Sequence, residues 1–231
     1  MSEKSKAYTD FASKSFSWNF IERPALDRAI PYDVYTRQAA ILDIGCGPGR
    51  VVDYHIRRGA TEANITGIDP NPEHISTSMG RFPNAHFITQ GAQDARLQAA
   101  SFDVVTAQLS LRYLQNGELA TLFGKVAGAL RPRGLFFMLD SHPVRDGLRD
   151  GLDHYFDEGQ REVATPWGGS ETYHYRTMST YINTLVESGL VVAGLDECPI
   201  AQEGRAEIYA SDLAYYNGAP ARFAILATKS Q

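Results

Sequence analysis

Three glycines at alternate positions, Gly45, Gly47 and Gly49, directly follow the short apolar run 40–44. Glycine is used where the backbone needs a positive φ, or where a ligand approaches the main chain too closely for a Cβ. The run before the glycines has the length and β-branched content of a buried strand, and a helical pattern that ends near Gly59 follows them. This order of strand, tight turn and helix N-terminus predicts a ligand site on the backbone.

A second polar feature closes the next predicted strand, residues 64–70, where Asp69 and Pro70 stand. A carboxylate at that point of an α/β fold can accept hydrogen bonds from both hydroxyls of a ribose. The alternative is that Asp69 only caps the following helix, since Asp and Asn are good caps. The spacing therefore favours a ligand that carries a ribose.

Asp43 precedes the glycine turn, and together Asp43, Gly45, Gly47 and Gly49 resemble the first motif of the class I, S-adenosylmethionine-dependent methyltransferases. Two phosphate-binding motifs fit less well. The dinucleotide fingerprint needs its third glycine three residues after the second, and the phosphate loop needs Gly-Lys-Ser/Thr where Arg50 follows Gly49. A glycine-rich turn in an ordinary α/β domain is the remaining alternative. The resemblance implies S-adenosylmethionine as cofactor.

The same resemblance implies which residues surround that cofactor. A third strand over 86–89 leads to Gln93 and Asp94, one of which would recognise the adenine ring, and the register between the two stays open. Gln108 to Ser110, after a fourth strand, would lie beneath the adenosine and methionine portions, mainly through backbone groups. The predicted cofactor-binding residues are Asp43, Gly45, Cys46, Gly47, Gly49, Asp69, Pro70, Gln93, Asp94, Gln108, Leu109 and Ser110.

The elements that position these residues alternate between strand and helix over residues 40–140, which predicts right-handed crossovers and an α/β, doubly wound, mostly parallel sheet. A helical stripe over 119–130 is ended by the Pro-Gly segment 131–134, and a fifth strand covers 135–140. The resemblance implies seven strands with an antiparallel last strand, the final pair being 190–195 and 223–228. The predicted organisation is a single methyltransferase domain over 1–231, with an N-terminal helical lid (1–38), a cofactor-binding core (39–140), a substrate lid insertion (141–178) and a C-terminal part of the sheet (179–231).

Two segments are candidates for the substrate side. The aromatic N-terminal segment either packs helices onto the sheet or covers the pocket, as in methyltransferases of small molecules, and Glu22 opens a Glu-Arg-Pro-Ala pattern found at this place in some of them. Segments 161–164 and 172–176 predict a hairpin at the carboxyl ends of the strands, where ligands bind in open α/β sheets. Arg112 would meet an acidic substrate group or be solvated. The predicted substrate-binding residues are Tyr8, Trp18, Arg112, Tyr113, Tyr155 and Trp167.

A proton acceptor, if the reaction needs one, should lie near the carboxyl end of a strand or in the lid and titrate near neutrality. His142, two residues beyond the fifth strand, and His174, in the predicted hairpin, meet these conditions. Their alternative roles are loop shaping and lid packing.

The composition of the chain argues against nucleic-acid and membrane partners. The chain has 231 residues, 43% of them hydrophobic, and a formal net charge of −5, which argues against a broad nucleic-acid-binding surface. No apolar run is long enough to span a membrane and the N-terminus lacks a signal-peptide core, so we expect a cytoplasmic protein without membrane contacts. Cys46 and Cys198 indicate neither a disulfide nor a metal site.

The predicted function is methyl transfer to an oxygen, nitrogen or carbon nucleophile of a small metabolite. Two alternatives are a nicotinamide-dependent oxidoreductase and a non-catalytic protein that binds an adenosyl ligand. The sequence does not give the acceptor or the oligomeric state.

Overall fold

A seven-stranded sheet forms the centre of the molecule, in a computed structural model that describes residues 2–150, 155–207, 216 and 219–229. Its strands are β1 (Ile41–Ile44), β2 (Ile65–Asp69), β3 (His86–Thr89), β4 (Phe102–Gln108), β5 (Leu130–Ser141), β8 (Leu190–Asp196) and β9 (Arg222–Lys229). Their order across the sheet is β3-β2-β1-β4-β5-β9-β8. Strands β1 to β5 are parallel, and β9 runs antiparallel to both of its neighbours. The predicted α/β sheet with its antiparallel last strand is confirmed.

Helices cover both faces of this sheet. They are α1 (Glu3–Lys14), α2 (Arg23–Ala29), α3 (Asp33–Thr36), α4 (Arg50–Arg57), α5 (Pro72–Arg81), α6 (Asn116–Ala129), α7 (Pro143–Asp150), α8 (Met178–Glu187) and α9 (Gln202–Glu207), with a π-helical turn at Trp18–Glu22 and 3₁₀ turns at Glu62–Asn64 and Leu111–Tyr113. Because side chains alternate along a strand, Val104 packs with the α2 to α5 side and Val105 with the α6 and α8 side. Each strand of the centre is therefore buried on both faces, as the continuous apolar runs predict.

Strand β5 begins earlier than the sequence predicts. Leu130 pairs with Phe102, the register then shifts, and the regular ladder starts where Leu135 pairs with Val104. Arg133, in the segment between, has a φ of 63°. The predicted Pro-Gly segment after α6 is thus a bulge within the strand and not a separate turn before it.

The predicted hairpin forms a separate two-stranded sheet of β6 (Gly159–Ala164) and β7 (Ser170–Tyr175). Gly168 and Gly169, in the connecting turn, both have positive φ. No helix in the described part of the chain is long and apolar enough to cross a membrane.

Candidate active site

A cavity of about 890 Å³ lies at the carboxyl ends of β1, β2, β4 and β5. These four strands are neighbours in the sheet, so their ends and the loops that follow form one continuous floor. Helix α1 and the β6–β7 hairpin contribute the opposite wall. Residues from segments far apart in sequence therefore meet around one space.

The glycine turn after β1 forms part of the floor, and all three of its glycines have positive φ. A Cβ on Gly45 would lie 2.3 Å from Ser110 Cβ, and one on Gly49 would lie 2.6 Å from the ring of Phe82. A Cβ on Gly47 would be 3.7 Å from the Tyr8 ring, an ordinary van der Waals contact. Gly45 and Gly49 are thus required by the packing of the protein, whereas at Gly47, which lines the cavity, the protein's own packing would admit a Cβ.

Asp69, at the end of β2, lines the cavity and braces the turn. Its Oδ2 accepts a hydrogen bond from the Gly47 N–H (2.9 Å), and its Oδ1 accepts one from the Asn71 N–H (2.8 Å). His74 Nδ1, from the first turn of α5, lies 3.6 Å from Asp69 Oδ1, and its ring packs on Tyr8. His74 was not among the predicted residues, although its position shortly after Asp69 is a signal that could have indicated it.

Asp43 lies beneath the floor and does not line the cavity. Its Oδ1 accepts a hydrogen bond from Thr106 Oγ1 (2.7 Å), and Oδ2 has no hydrogen-bond partner among the described residues. Burial raises the pKa of this carboxyl from 3.8 to about 7, although the Thr106 hydrogen bond and Arg50 oppose the increase. Asp43 therefore supports the turn from below.

The end of β4 supplies an unpaired polar group. Both side-chain atoms of Gln108 are buried and have no hydrogen-bond partner within the described residues, and the next residue, Leu109, has a φ of 54°. An unsatisfied buried amide costs about 1–3 kcal/mol, so a bound polar ligand would stabilise this site. Gln108, Leu109 and Ser110 all line the cavity. This amide, with the Asp69 carboxylate in the same lining, fits an adenosyl cofactor with a hydroxylated sugar and polar ends.

The other predicted cofactor residues divide into two groups. Pro70 and Gln93 line the cavity, as does Gly45. Asp94 is exposed and lies outside the lining, like the buried Cys46 and Gly49. The arrangement favours Gln93 over Asp94 for contact with the cofactor.

Arg112 and Tyr113, on the loop after β4, are fixed by acidic partners. The Arg112 guanidinium forms an ion pair with Asp140, whose Oδ2 also accepts a hydrogen bond from the Arg112 N–H (3.2 Å). The ring centroid of Tyr173 lies 5.0 Å from that guanidinium. Asp140 holds the pKa of Arg112 above its usual range, against the effect of burial. Tyr113 donates a hydrogen bond to Glu171. Arg112 is therefore not the solvated side chain of the alternative interpretation.

Trp167, at the tip of the hairpin, contacts helix α1. Its ring centroid lies 5.1 Å from that of Tyr8 and 5.5 Å from that of Phe11. Lys4 Nζ lies 3.3 Å from Glu171 Oε1, which adds a second link between α1 and the hairpin. We call α1 and the β6–β7 hairpin the roof. The two segments that were predicted as lids thus contact each other.

Two predicted substrate residues lie outside the lining. Trp18 is buried against Tyr54, and the Arg50 guanidinium stacks 4.6 Å from its ring centroid. Tyr155 contributes its carbonyl as acceptor for the Tyr175 hydroxyl (3.0 Å). Both residues support the walls and do not reach the cavity.

The two candidate proton acceptors are placed differently. His142 lies outside the lining, with Nε2 at 3.3 Å from Glu197 Oε1, Nδ1 accepting from the Val144 N–H (3.2 Å), and its ring packed edge-on against Phe223. His174 lines the cavity, and its Nδ1 is buried without a hydrogen-bond partner in the described part of the chain. Ser141 and Pro143, on either side of His142, line the cavity, so the chain passes the cavity here while the His142 side chain lies outside the lining, and position in sequence does not give that direction.

Three of the charged residues in the cavity wall that were not predicted contact one another. Glu22 is shared by Arg50 and Arg222: Glu22 Oε2 lies 3.2 Å from Arg50 Nη2, and Glu22 Oε1 accepts a hydrogen bond from Arg222 Nε (3.1 Å). The two arginines hold the pKa of the Glu22 carboxyl below its usual value, although burial alone would raise it. The Glu-Arg-Pro-Ala pattern was the signal for Glu22, whereas Arg222, two hundred positions away, carried none.

Comparison with known proteins gives matches to methyltransferases. Residues 41–134 match a family model described as a methyltransferase domain. The fold superposes on an S-adenosylmethionine-dependent methyltransferase from Mesorhizobium loti with a TM-score of 0.76 and 24% identity, over 94% of this chain and 99% of that one.

Two curated methyltransferases match over shorter stretches. A ubiquinone/menaquinone biosynthesis C-methyltransferase from Campylobacter jejuni is 28% identical over 104 residues, 43% of each chain. A trans-aconitate 2-methyltransferase from Yersinia pestis is 28% identical over 147 residues, 63% of this chain and 52% of that protein. The chain spans about half the length of these two relatives.

Proposed function

We propose that the chain, which carries a class I, S-adenosylmethionine-dependent methyltransferase domain, transfers a methyl group to an oxygen, nitrogen or carbon nucleophile of a small metabolite. S-adenosylmethionine is its cofactor. The two curated relatives are named as a C-methyltransferase of ubiquinone/menaquinone biosynthesis and as a trans-aconitate 2-methyltransferase, and both names are compatible with a small acceptor.

The observation that carries the proposal is the roof. Trp167 of the hairpin packs against Tyr8 and Phe11 of α1, and residues of both segments line the cavity opposite the strand ends. The cavity volume of about 890 Å³ lies within the range of pockets that bury small molecules. These features favour a small acceptor that binds between the roof and the strand ends.

The chain's own residues have three tasks in such a reaction. When bound, S-adenosylmethionine supplies a methyl group already activated by a sulfonium charge, so alignment and exclusion of water account for most of the remaining catalysis. Asp69, Gly47 and Gln108 would orient the cofactor through hydrogen bonds and close backbone contact. The roof would exclude water.

The acceptor side would be shaped by the fixed polar groups after β4 and in β7. The ion pair of Arg112 with Asp140 and the hydrogen bond of Tyr113 to Glu171 hold these side chains before any ligand arrives. Such preorganisation favours a single acceptor orientation. His174, in the same wall, is the group that we propose as proton acceptor.

The test is a screen of small-molecule acceptors with the purified protein, which follows the release of S-adenosylhomocysteine and the mass gain of one methyl group. Asp69→Asn serves as the matched control, because it keeps the volume of the side chain and removes the charge expected to contact the ribose. We expect a product with the wild type and at least tenfold less with Asp69→Asn, since hydrogen bonds to charged groups contribute about 1.5–3 kcal/mol. Methylation of proteins or RNA with no small acceptor would contradict the proposal.

A further inference from the structure

Arg176, the residue after β7, is a buried cation in the cavity wall. It is 1% exposed, and within the described residues its guanidinium donates hydrogen bonds to uncharged acceptors only. These acceptors are Asn116 Oδ1 (2.6 Å) and the carbonyls of Leu111 (3.4 Å), His174 (3.2 Å) and Leu114. Burying a charge is costly unless it is paired, so this end of the cavity suits an anion.

Arg112 is the guanidinium at the same end that has donors left for a ligand. Asp140 pairs with it, and the ring centroid of Tyr173 lies 5.0 Å from it, so its orientation is fixed. Within the described residues its side chain has no other acceptor, and its Nε is buried without a hydrogen-bond partner. A guanidinium has five N–H donors, so several remain for a ligand.

Arg176 fixes the segment that carries Arg112. The two carbonyls that it binds on the loop after β4, those of Leu111 and Leu114, lie on either side of Arg112 in sequence. A change at Arg176 would therefore alter the position of the Arg112 guanidinium.

Tyr181, on α8, lines the cavity within reach of both arginines. Burial and Asp140 raise the pKa of the Tyr181 hydroxyl, whereas Arg176 and Arg112 oppose the increase. The two guanidinium groups and the Asp140 carboxylate thus act together on one point of the cavity wall.

The charges at this end of the cavity leave a positive excess. Arg112 and Arg176 meet the single carboxylate of Asp140. Glu158, which the Asn116 amide links to Arg176, lies outside the lining. The other charged residues of the described lining near the hairpin are two acids and two bases, namely Asp146, Glu171, Lys4 and Arg161. One further negative charge therefore fits here.

We propose that the methyl acceptor carries a carboxylate, that Arg112 binds this carboxylate, and that Arg176 is a positioning residue that holds Arg112 for the contact. The inference rests on the proposed function and names its class of acceptor. Since β1 lies between β2 and β4, a cofactor held by Asp69 at the end of β2 leaves the ends of β4 and β5 to the acceptor.

The choice of a carboxylate follows from shape and charge. A planar guanidinium matches a carboxylate in two-pronged geometry. A carboxylate also neutralises the single excess charge, whereas a phosphate monoester, with about two negative charges, would exceed it.

The experiment adds matched probes to the acceptor screen: aromatic and aliphatic carboxylic acids, the primary carboxamide of each, and a phosphate monoester with the same carbon skeleton. The carboxamide has nearly the shape of the carboxylate and no charge. We expect kcat/KM for the acids to exceed that for their carboxamides by roughly ten- to a hundredfold, the usual size of a charge-assisted hydrogen bond. The difference should lie in KM, because a group that only binds acts equally on the ground state and the transition state.

In Arg112→Gln the preference for the acid over its carboxamide should fall to about threefold or less. Because this variant leaves Asp140 buried and unpaired, the double variant Arg112→Gln, Asp140→Asn removes both charges and carries the same comparison if the single variant does not fold. Arg131→Gln is the matched control, since Arg131 pairs with Asp103, is 45% exposed and lies outside the lining. Its preference should equal that of the wild type.

Arg176→Gln tests the positioning role. We expect a preference between those of the wild type and Arg112→Gln. A merely structural role of Arg176 would lower kcat/KM for both probes by the same factor and leave the preference unchanged.

Two results would overturn the inference. One is a screen in which the carboxamides or the phosphate monoesters are methylated as well as the acids, and the other is an undiminished preference in a folded Arg112 variant. Either would leave the proposed function standing, because a small acceptor would still be methylated. Absence of any methylated small molecule would instead contradict the proposed function itself.

Discussion

Gly45 and Gly47 both have positive φ, but their surroundings differ. We therefore expect Gly45 to matter for folding and Gly47 for ligand binding. Gly45 has no space for a Cβ because Ser110 from the β4 loop lies against it, whereas a Cβ on Gly47, which lines the cavity, would meet only the Tyr8 ring in ordinary van der Waals contact. A residue other than glycine in the left-handed region costs about 1–2 kcal/mol at either position. The clash at Gly45 adds roughly 1–3 kcal/mol.

We predict that Gly45→Ala destabilises the protein by about 2–5 kcal/mol, and that Gly47→Ala costs only about 1–2 kcal/mol but lowers the affinity for S-adenosylhomocysteine at least tenfold. Urea unfolding and calorimetry on both variants would measure the two effects. Equal losses of stability, or unchanged affinity in Gly47→Ala, would refute this division between the glycines.

The environment of His174 leads to a prediction about the pH dependence of turnover. Burial, with Arg176 as a second cause, lowers the pKa of His174 from its ordinary value near 6.5, so the ring is neutral at pH 7 and can accept a proton. Turnover of the wild type should therefore fall only below pH 6.5, as the ring becomes protonated. His174→Gln should lower turnover by about 10²–10⁴-fold and remove this acidic limb.

The matched control for His174 is His142→Gln, because His142 lies outside the cavity and contacts Glu197 and Phe223. Its turnover and acidic limb should match the wild type when acceptor is saturating. If His174→Gln also retains both, neither His174 nor His142 is the proton acceptor, and the proposed role of His174 fails.

At the scale of elements, the roof joins α1 to the β6–β7 hairpin, two segments far apart in sequence. Each aromatic pair with Trp167 contributes about 0.5–1.5 kcal/mol, and the ion pair of Lys4 with Glu171, in which the Lys4 side chain is 58% exposed, adds little. Trp167 is therefore the hairpin side chain whose ring contacts contribute most to the packing of the hairpin on α1.

We predict that Trp167→Ala increases the hydrogen-exchange rate of the α1 amides by roughly 5- to 100-fold and raises the KM for the acceptor, with little change in the stability of the central sheet. The matched control is Phe156→Ala, since Phe156 is 84% exposed and its removal should leave α1 unaffected. Slow exchange of α1 in Trp167→Ala would mean that other contacts hold the roof.

The strands and helices were predictable because each depends on a local pattern. The α6 stripe of Leu119, Leu122, Phe123 and Val126 is completely buried, and β3 has the predicted bounds. The contacts that complete the site join residues without a local signal, such as Glu22 with Arg222 and Trp167 with Tyr8. The direction of a side chain could not be predicted either, since His142 lies outside the lining although Ser141 and Pro143 line the cavity.

At the scale of the whole molecule, a buried acid opposes folding. The pKa of Asp43 rises from 3.8 in the unfolded chain to about 7 in the folded one. Between these two pH values the folded protein keeps a proton on Asp43 that the unfolded chain has released. Stability consequently falls as pH rises from about 4 to 7, and the cost above pH 7 is on the order of 4 kcal/mol.

We predict that Asp43→Asn, which keeps an acceptor for Thr106, is more stable than the wild type at pH 8 by up to about 4 kcal/mol and nearly equal to it near pH 4. Denaturant unfolding of the unliganded proteins across this range would measure the difference, with the exposed Asp94→Asn as control. A difference that does not change with pH would mean that Asp43 is ionised in the folded state at little cost.

The position of β9 has a consequence for how the protein is made. β8 leaves the ribosome before β9, yet in the described part of the sheet β9 is its one neighbour. At about 5–20 residues per second, the nascent chain carries an unpaired β8, with half-exposed Val191 and Leu195, for roughly one to five seconds before β9 is synthesised. During translation this strand is the part of the sheet most open to pairing with another chain, and the part for which a chaperone would matter most.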